Sequence, residues 1–179
     1  MRRVYVASSW RNARQPEVVL ALVEAGHLVY DFRNPEYARG GFHWSDIDPE
    51  WQKWTPERFR DALLHPIAVA GSRCDWESMV WADCCVLVMP CGRSAHLEAG
   101  YFVGAGKPLV ILLSDGEPEL MYKMASFRAL TIPEAVSALE TLPVREDFED
   151  KLFSCGAITR TQALALMNDY PRPDADGGL

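Results

Sequence analysis

The order of apolar runs and turn signals predicts an α/β fold: a three-layer, doubly wound sheet of about five mostly parallel strands. Three observations carry this expectation. The chain opens on the apolar run "RVYVA", a helical pattern, and a second run, "HLVYDF", which together make a β-α-β start. "CCVLVM" at 84–89 is apolar without alternation, as a strand buried on both faces is. "PLVILL" at 108–113 follows it across another helical pattern and completes a second unit of the same kind.

Each element has its own local justification. Residues 3–7 form the first strand, and the turn chemistry of "SSWRN" ends it. "PEVVLALVEA" at 16–25 starts with Pro and stops before Gly26, the usual punctuation of a helix. The second strand covers 27–32. Residues 33–54 are rich in Gly, Pro and aromatics and have no clean period. A connection of that length is either functional or disordered, and Trp44, Trp51 and Trp54 argue against disorder. Thr55 and Pro56 open a helix to about Leu64, and 66–82 reads as another, with Gly71 inside it. After the third strand Ser94 is expected to cap a helix whose Ala95, Ala99, Phe102 and Val103 form the stripe that packs on a sheet, and Gly106 ends it. A short helix at 118–124, a strand at 127–131 and a helix at 133–142 complete the order. Residues 1–143 are expected to form the domain, with 144–179, including "TRTQALALM", as a helical extension and loose tail of it. The order is flavodoxin- or Rossmann-like. Sheets of this kind bind ligands beyond the carboxyl ends of their strands, where "ASSWRN", "DFRNP", "PCGRSAHLE" and "SDGEPE" should converge.

Composition narrows the function classes. The 179 residues suffice for one domain with a sizeable core, and hydrophobic and charged fractions of 49% and 24% are those of an ordinary globular protein. A net charge of -7 argues against a nucleic-acid polymer held by counterion release, while leaving a mononucleotide open. The five cysteines are odd in number, form no CxxC pair, and accompany no secretory leader or membrane-length apolar run. A cytoplasmic protein with reduced thiols and no membrane partner is expected.

Several familiar motifs fail. "GAGKP" at 104–108 has Tyr101 where a P-loop needs its first Gly and Pro108 where it needs Ser or Thr. No GxGxxG follows the first strand, no GxSxG elbow occurs, and His27, His43, His65 and His96 lack metal-ligand spacing. No metal and no cofactor is expected.

What remains is an acid at a helix start. With Ser94 as cap, Glu98 falls near free N–H groups, whose positive end favours an ionised carboxylate by roughly 0.3–1 kcal/mol. A carboxylate at the strand ends is a candidate nucleophile or stabiliser for an electron-poor carbon; the same position also suits a routine solvated glutamate. Ser94 and Tyr101 share its flank, whereas His96 points elsewhere. Arg93 and Ser94 could bind an anion such as a 5′-phosphate, or serve as cap and surface residues.

These segments resemble the nucleoside 2-deoxyribosyltransferase superfamily, which includes deoxynucleoside 5′-monophosphate N-glycosidases. "VYVASSWRN" resembles its first strand and sugar-side loop, and "DWESMVWADCCVLVMP" its helix with two spaced acids. "HLEAGYFVGAGKPLVIL" resembles its signature around a Glu that attacks C1′, and "EPELMYKMAS" a segment that reaches a neighbouring subunit's site. The likeness spans roughly residues 3–130. It implies Glu98 as nucleophile, Asp75 and Asp83 as paired acids that position the substrate and assist protonation of the leaving base, and Ser8, Ser9, Arg11 and Asn12 on the sugar side. It further implies Glu119 near a neighbour's site and a homodimer or higher homo-oligomer. The chain departs from the pattern at His96, where the family places a small residue, and at Glu119, where transferases carry Asn. The aromatic loop offers Phe42 and Trp44 for base stacking, worth about 1–3 kcal/mol per base, or as a lid packed onto the core. The expected reaction is cleavage or transfer at the N-glycosidic bond of a nucleoside or nucleoside 5′-monophosphate. A Toll/interleukin-receptor-like domain that cleaves an NAD-like dinucleotide and a non-catalytic nucleotide sensor are the alternatives on the same fold.

Overall fold

The computed structural model describes residues 1–35 and 40–143; the expected extension at 144–179 lies outside the described residues. Five strands, β1 (Arg3–Ala7), β2 (Leu28–Asp31), β3 (Cys84–Val88), β4 (Leu109–Leu112) and β5 (Phe127–Ala129), form one sheet in the order β2-β1-β3-β4-β5. All four pairings are parallel. β1 lies between β2 and β3, so the winding reverses there, and the crevice for a ligand opens beyond the carboxyl ends of β1 and β3.

Strand side chains alternate between two helical layers, as a period of two requires. Val4, Val6, Val86, Val88, Val110 and Leu112 pack with Val18 and Leu22 of α1 (Gln15–Glu24) and with Ala135, Ala138 and Leu139 of α5 (Ile132–Thr141). Tyr5, Ala7, Cys85, Leu87 and Ile111 pack with Met79 of α3 (Pro66–Trp81) and with Ala95, Ala99 and Phe102 of α4 (Arg93–Gly104). Ala95 and Ala99 let α4 approach the sheet closely, and Phe102 fills the space one turn on; truncating that fully buried ring to Ala would cost about 3–5 kcal/mol. The long connection after β2 holds two 3-10 turns, Trp44–Asp46 and Trp51–Lys53, before α2 (Pro56–Ala62), which Thr55 caps by accepting from the Arg58 N–H.

The expected elements form, with ends displaced by a few residues. Two details differ. The helix expected at 118–124 is a 3-10 turn, Leu120–Met124, opened by the Glu119 carboxylate accepting from the Met121 N–H. α4 starts before Ser94: Gly92 takes the cap position in extended backbone, and Ser94 is inside the first turn.

The Gly-Lys pair that resembles a P-loop closes the amino end of the sheet. Lys107 donates to three carbonyls where α3 ends, Met79 O at 2.8 Å, Val80 O at 2.7 Å and Ala82 O at 2.6 Å. A cation suits a helix C-terminus, where the last carbonyls lack intrahelical partners. Among the described residues no helix is long and apolar enough to cross a membrane.

Candidate active site

The carboxyl ends of the strands are tied into one floor by polar side chains. Ser8 Oγ donates to Val88 O at 3.0 Å, and Asn12 Nδ2 to Val88 O and Pro90 O, both at 3.1 Å. Arg33, after β2, donates to Ser9 O, Trp10 O and Asn12 O at 2.8–2.9 Å. Arg14 reaches Leu113 O at 3.4 Å, beside the end of β4. The loops after β1, β2 and β3 therefore converge, as their polarity implies.

Into this floor project four groups from four elements. Tyr5 stands in the middle of β1 and pairs in register with Tyr30 of β2; their rings stack with centroids 5.2 Å apart. Tyr5 hydrogen-bonds the Glu98 carboxyl of α4, and Ser94 Oγ donates to Glu98 Oε1 at 2.9 Å. Tyr30 Oη donates to Asp75 Oδ1 of α3 at 2.8 Å. Glu98 and Asp75 lie within reach of one another's charge.

The electrostatics correct the expectation of a fully ionised helix-start acid. Glu98 lies in the second turn of α4, past the strongest free N–H groups. Burial first, and the neighbouring Asp75 charge second, push its carboxyl up to about 7, against the bonds from Ser94 and Tyr5, which favour the anion. Burial also raises Asp75, opposed by the Tyr30 hydroxyl. Burial, then the charges of Glu98 and Asp75, hold the Tyr5 phenol well above its ordinary range, so it stays a donor. The result is a pair of acids in which the Asp75 charge, together with burial, keeps a proton on Glu98 up to about neutrality. Once Glu98 ionises, near neutrality, the pair offers one carboxylate to attack a carbon and a second to orient water beside a leaving group.

The other candidates from the sequence fall in several places. Asp83 is not with Glu98. It precedes β3 at the opposite end of the sheet, where it accepts from Arg3 N at 2.8 Å, Arg3 Nε at 3.0 Å and Arg3 Nη2 at 2.6 Å. A parallel strand separates its two ends by its full length, and the eight-residue spacing from Asp75 spans a helix end, so the two acids part. Asn12 is buried and spends both amide hydrogens on the backbone, and Ser8 does the same with its hydroxyl. Ser9 accepts from the Arg11 N–H, while the Arg11 and Arg93 side chains are exposed. Glu119 caps the turn after β4, exposed.

Phe42 and Trp44 belong to a packed aromatic lid. Phe42 meets Trp44 edge-on at 4.7 Å, and Trp44 meets Trp54 and Phe59, each at 5.6 Å. Phe42 also sits on Gly71 of α3, where an added Cβ would come within 3.1 Å of its own Cβ. Gly71 and Asp75 are one helical turn apart, so the lid borders the acid pair. Gly41, at φ +63°, turns the chain against Trp10, whose ring stands 4.4 Å from that of His43.

Tyr5 and Tyr30 were not among the sequence candidates. The signal was present: a hydroxyl on a residue inside "RVYVA", a strand covered on both faces, must find a partner. His96 points away from Glu98, as its helical position implies. It stacks on Tyr122 and bonds Tyr122 Oη at 2.9 Å.

Comparison with known proteins agrees with this architecture. A solved structure of a 2-deoxyribosyltransferase from Bacillus psychrosaccharolyticus superposes with a TM-score of 0.53 at 20% identity, over 79% of this chain and 96% of that one. The chain thus shares an α/β fold with that enzyme. No protein-family model matches the sequence, and no curated protein matches it.

Proposed function

We propose that this protein cleaves or transfers the N-glycosidic bond of a nucleoside or nucleoside 5′-monophosphate. The observation that carries the reading is the Glu98 carboxyl, held by Tyr5 and Ser94 beside Asp75 at the carboxyl ends of β1 and β3. The fold shared with a 2-deoxyribosyltransferase supports it.

In this reading Glu98 attacks C1′ as the anion. The C1′–N bond breaks as the new C1′–O ester forms, and the electron pair leaves with the base. The departing base takes its proton from solvent, through a water that the Asp75 carboxylate can hold and orient. Tyr5 and Ser94 keep the attacking oxygen oriented and lose no bond when it ionises. Water or a second base then takes the sugar from Glu98. Arg93 and Arg11, both exposed at the rim, suit the 5′ group, and the aromatic lid beside Gly71 suits the base. A homodimer or larger assembly belongs to this reading, with exposed Leu120 and Met121 after β4 facing a second copy.

The test is chromatographic detection of free base from a panel of nucleosides, their 5′-monophosphates and NAD, with and without an acceptor base. Base release that disappears in Glu98→Ala supports the reading, and acceptor dependence separates transfer from hydrolysis. Cleavage of NAD alone, or release that survives Glu98→Ala, overturns it.

A further inference from the structure

The turn between β3 and α4 carries a second group of side chains that the Glu98 chemistry does not use. Met89 Sδ and Cys91 Sγ lie 3.3 Å apart. Cys91 Sγ lies 3.5 Å from His96 Nδ1 and 4.0 Å from Nε2. Tyr122 Oη, from the turn after β4, stands 3.3 Å from Met89 Sδ and 2.9 Å from His96 Nε2. Thus a thioether, a thiol and an imidazole meet within one short segment.

The hydrogen bonds fix the roles of the imidazole nitrogens. His96 Nδ1 lies 2.9 Å from Gly92 O, which can only accept, so Nδ1 carries the proton in the neutral ring. Nε2 is then the free lone pair. A backbone carbonyl holding the far N–H is the usual support of a ligating histidine. Ion bonds of about 2.0 Å to nitrogen and about 2.3 Å to sulfur span both the Met89 Sδ–Cys91 Sγ and the Cys91 Sγ–His96 Nε2 separations.

We propose that Met89, Cys91 and His96 form a binding site for a soft monovalent cation, Cu(I). Softness selects the ion. Thiolate and thioether ligands favour Cu(I), whereas hard divalent cations need carboxylates or carbonyls. Among the described residues no group of three His, Cys, Asp or Glu side chains could hold a metal, so the thioether is the third donor that makes this site. Binding breaks the Cys91 S–H bond and releases its proton to solvent; a Cu–S bond replaces it, and the metal keeps its oxidation state. The His96 Nε2 bond to Tyr122 is exchanged for the metal, and the Tyr122 hydroxyl turns to Met89 or to water. The site is half-buried at Met89 and Cys91 and open at His96, which gives the ion a way in. The inference does not depend on the reaction assigned to Glu98.

The experiment is an anaerobic titration of the full chain with Cu(I), in competition with a chromophoric Cu(I) chelator. The expected result is one tightly held ion, at least tenfold weaker in each of Cys91→Ser, Met89→Leu and His96→Gln, and unchanged in Cys155→Ser. X-ray absorption at the copper edge should show one nitrogen and two sulfur neighbours. Circular dichroism of each variant confirms that it folds. Equal retention by wild type and Cys91→Ser, loss in Cys155→Ser instead, or a copper shell without nitrogen would each overturn the proposal.

Discussion

Tyr5 and Glu98 are hydrogen-bonded between the centre of the sheet and the second turn of α4, so the buried interior of β1 reaches the candidate site through one phenol. The bond acts against burial and the Asp75 charge, which both disfavour the Glu98 anion. Removing it should be legible in a pH profile. Tyr5→Phe keeps the ring and deletes the hydroxyl, and a bond to a charged group is worth about 1.5–3 kcal/mol. The ascending limb of base release against pH, expected near neutrality in the wild type, should move to higher pH. Activity at pH 7 should fall roughly tenfold or more. An unmoved limb would remove Tyr5 from the site.

Asp75→Asn tests the partner acid. Its charge helps raise Glu98, so the neutral amide should move the ascending limb to lower pH, opposite to Tyr5→Phe. The plateau rate should drop by about 10²–10⁴, the scale of general acid–base catalysis. A shifted limb with an undiminished plateau would leave Asp75 an electrostatic neighbour only.

Glu98 also sets a pH dependence of stability. An ordinary glutamate titrates near 4.5, and burial raises this one to about 7 in the folded chain. Below the lower value both states are protonated and nothing is lost. Between the two the folded state holds a proton that the unfolded chain releases, so stability falls as pH rises through that window. Glu98→Gln removes the penalty. Thermal melts should show the variant stabilised by about 1–3 kcal/mol at pH 8 and matched to wild type at pH 4.5.

Asp83→Asn separates structure from chemistry at the other end of the sheet. It weakens a half-buried pairing with Arg3 that also holds the Arg3 N–H. Denaturant unfolding should show a loss of about 1–2 kcal/mol, while kcat for base release stays at the wild-type value. A fall in kcat with unchanged stability would return Asp83 to the active site.

Lys107→Met leaves three carbonyls at the end of α3 without their donor. The expected cost is about 1–3 kcal/mol in the same assay. Equal stability of variant and wild type would mean that water replaces the ammonium without loss.

The fold was legible because its signals are local. The unbroken apolar runs at 84–89 and 108–113, the Pro and Gly at helix ends, and the alanine stripe of α4 each announce their element. The candidate site was legible where a residue's place follows from its own position, as for Glu98 at a strand-to-helix junction. Asp83 could not be placed that way, because eight residues along the chain give no hint that a helix end lies between two acids. The ionisation of Glu98 was hidden for a similar reason: dipole arguments see the helix, whereas burial depends on Tyr5, Tyr30 and Asp75 arriving from other elements. Asn12 and Ser8 look like ligand-binding polar residues in sequence, yet the backbone of β3 claims them first.

The two faces of the sheet divide the labour. The groups gathered around Glu98 come from the strands and from the layer of α3 and α4, while α1 and α5 cover the opposite face with mainly aliphatic contacts. An engineer can therefore treat the molecule as a chassis with a free side. Exposed Leu20 and Val23 on α1 can be recoded for solubility, immobilisation or a reporter without disturbing a single atom that touches the acid pair. Libraries aimed at new substrates belong on the other side, in the loops that Arg33 and Asn12 hold together.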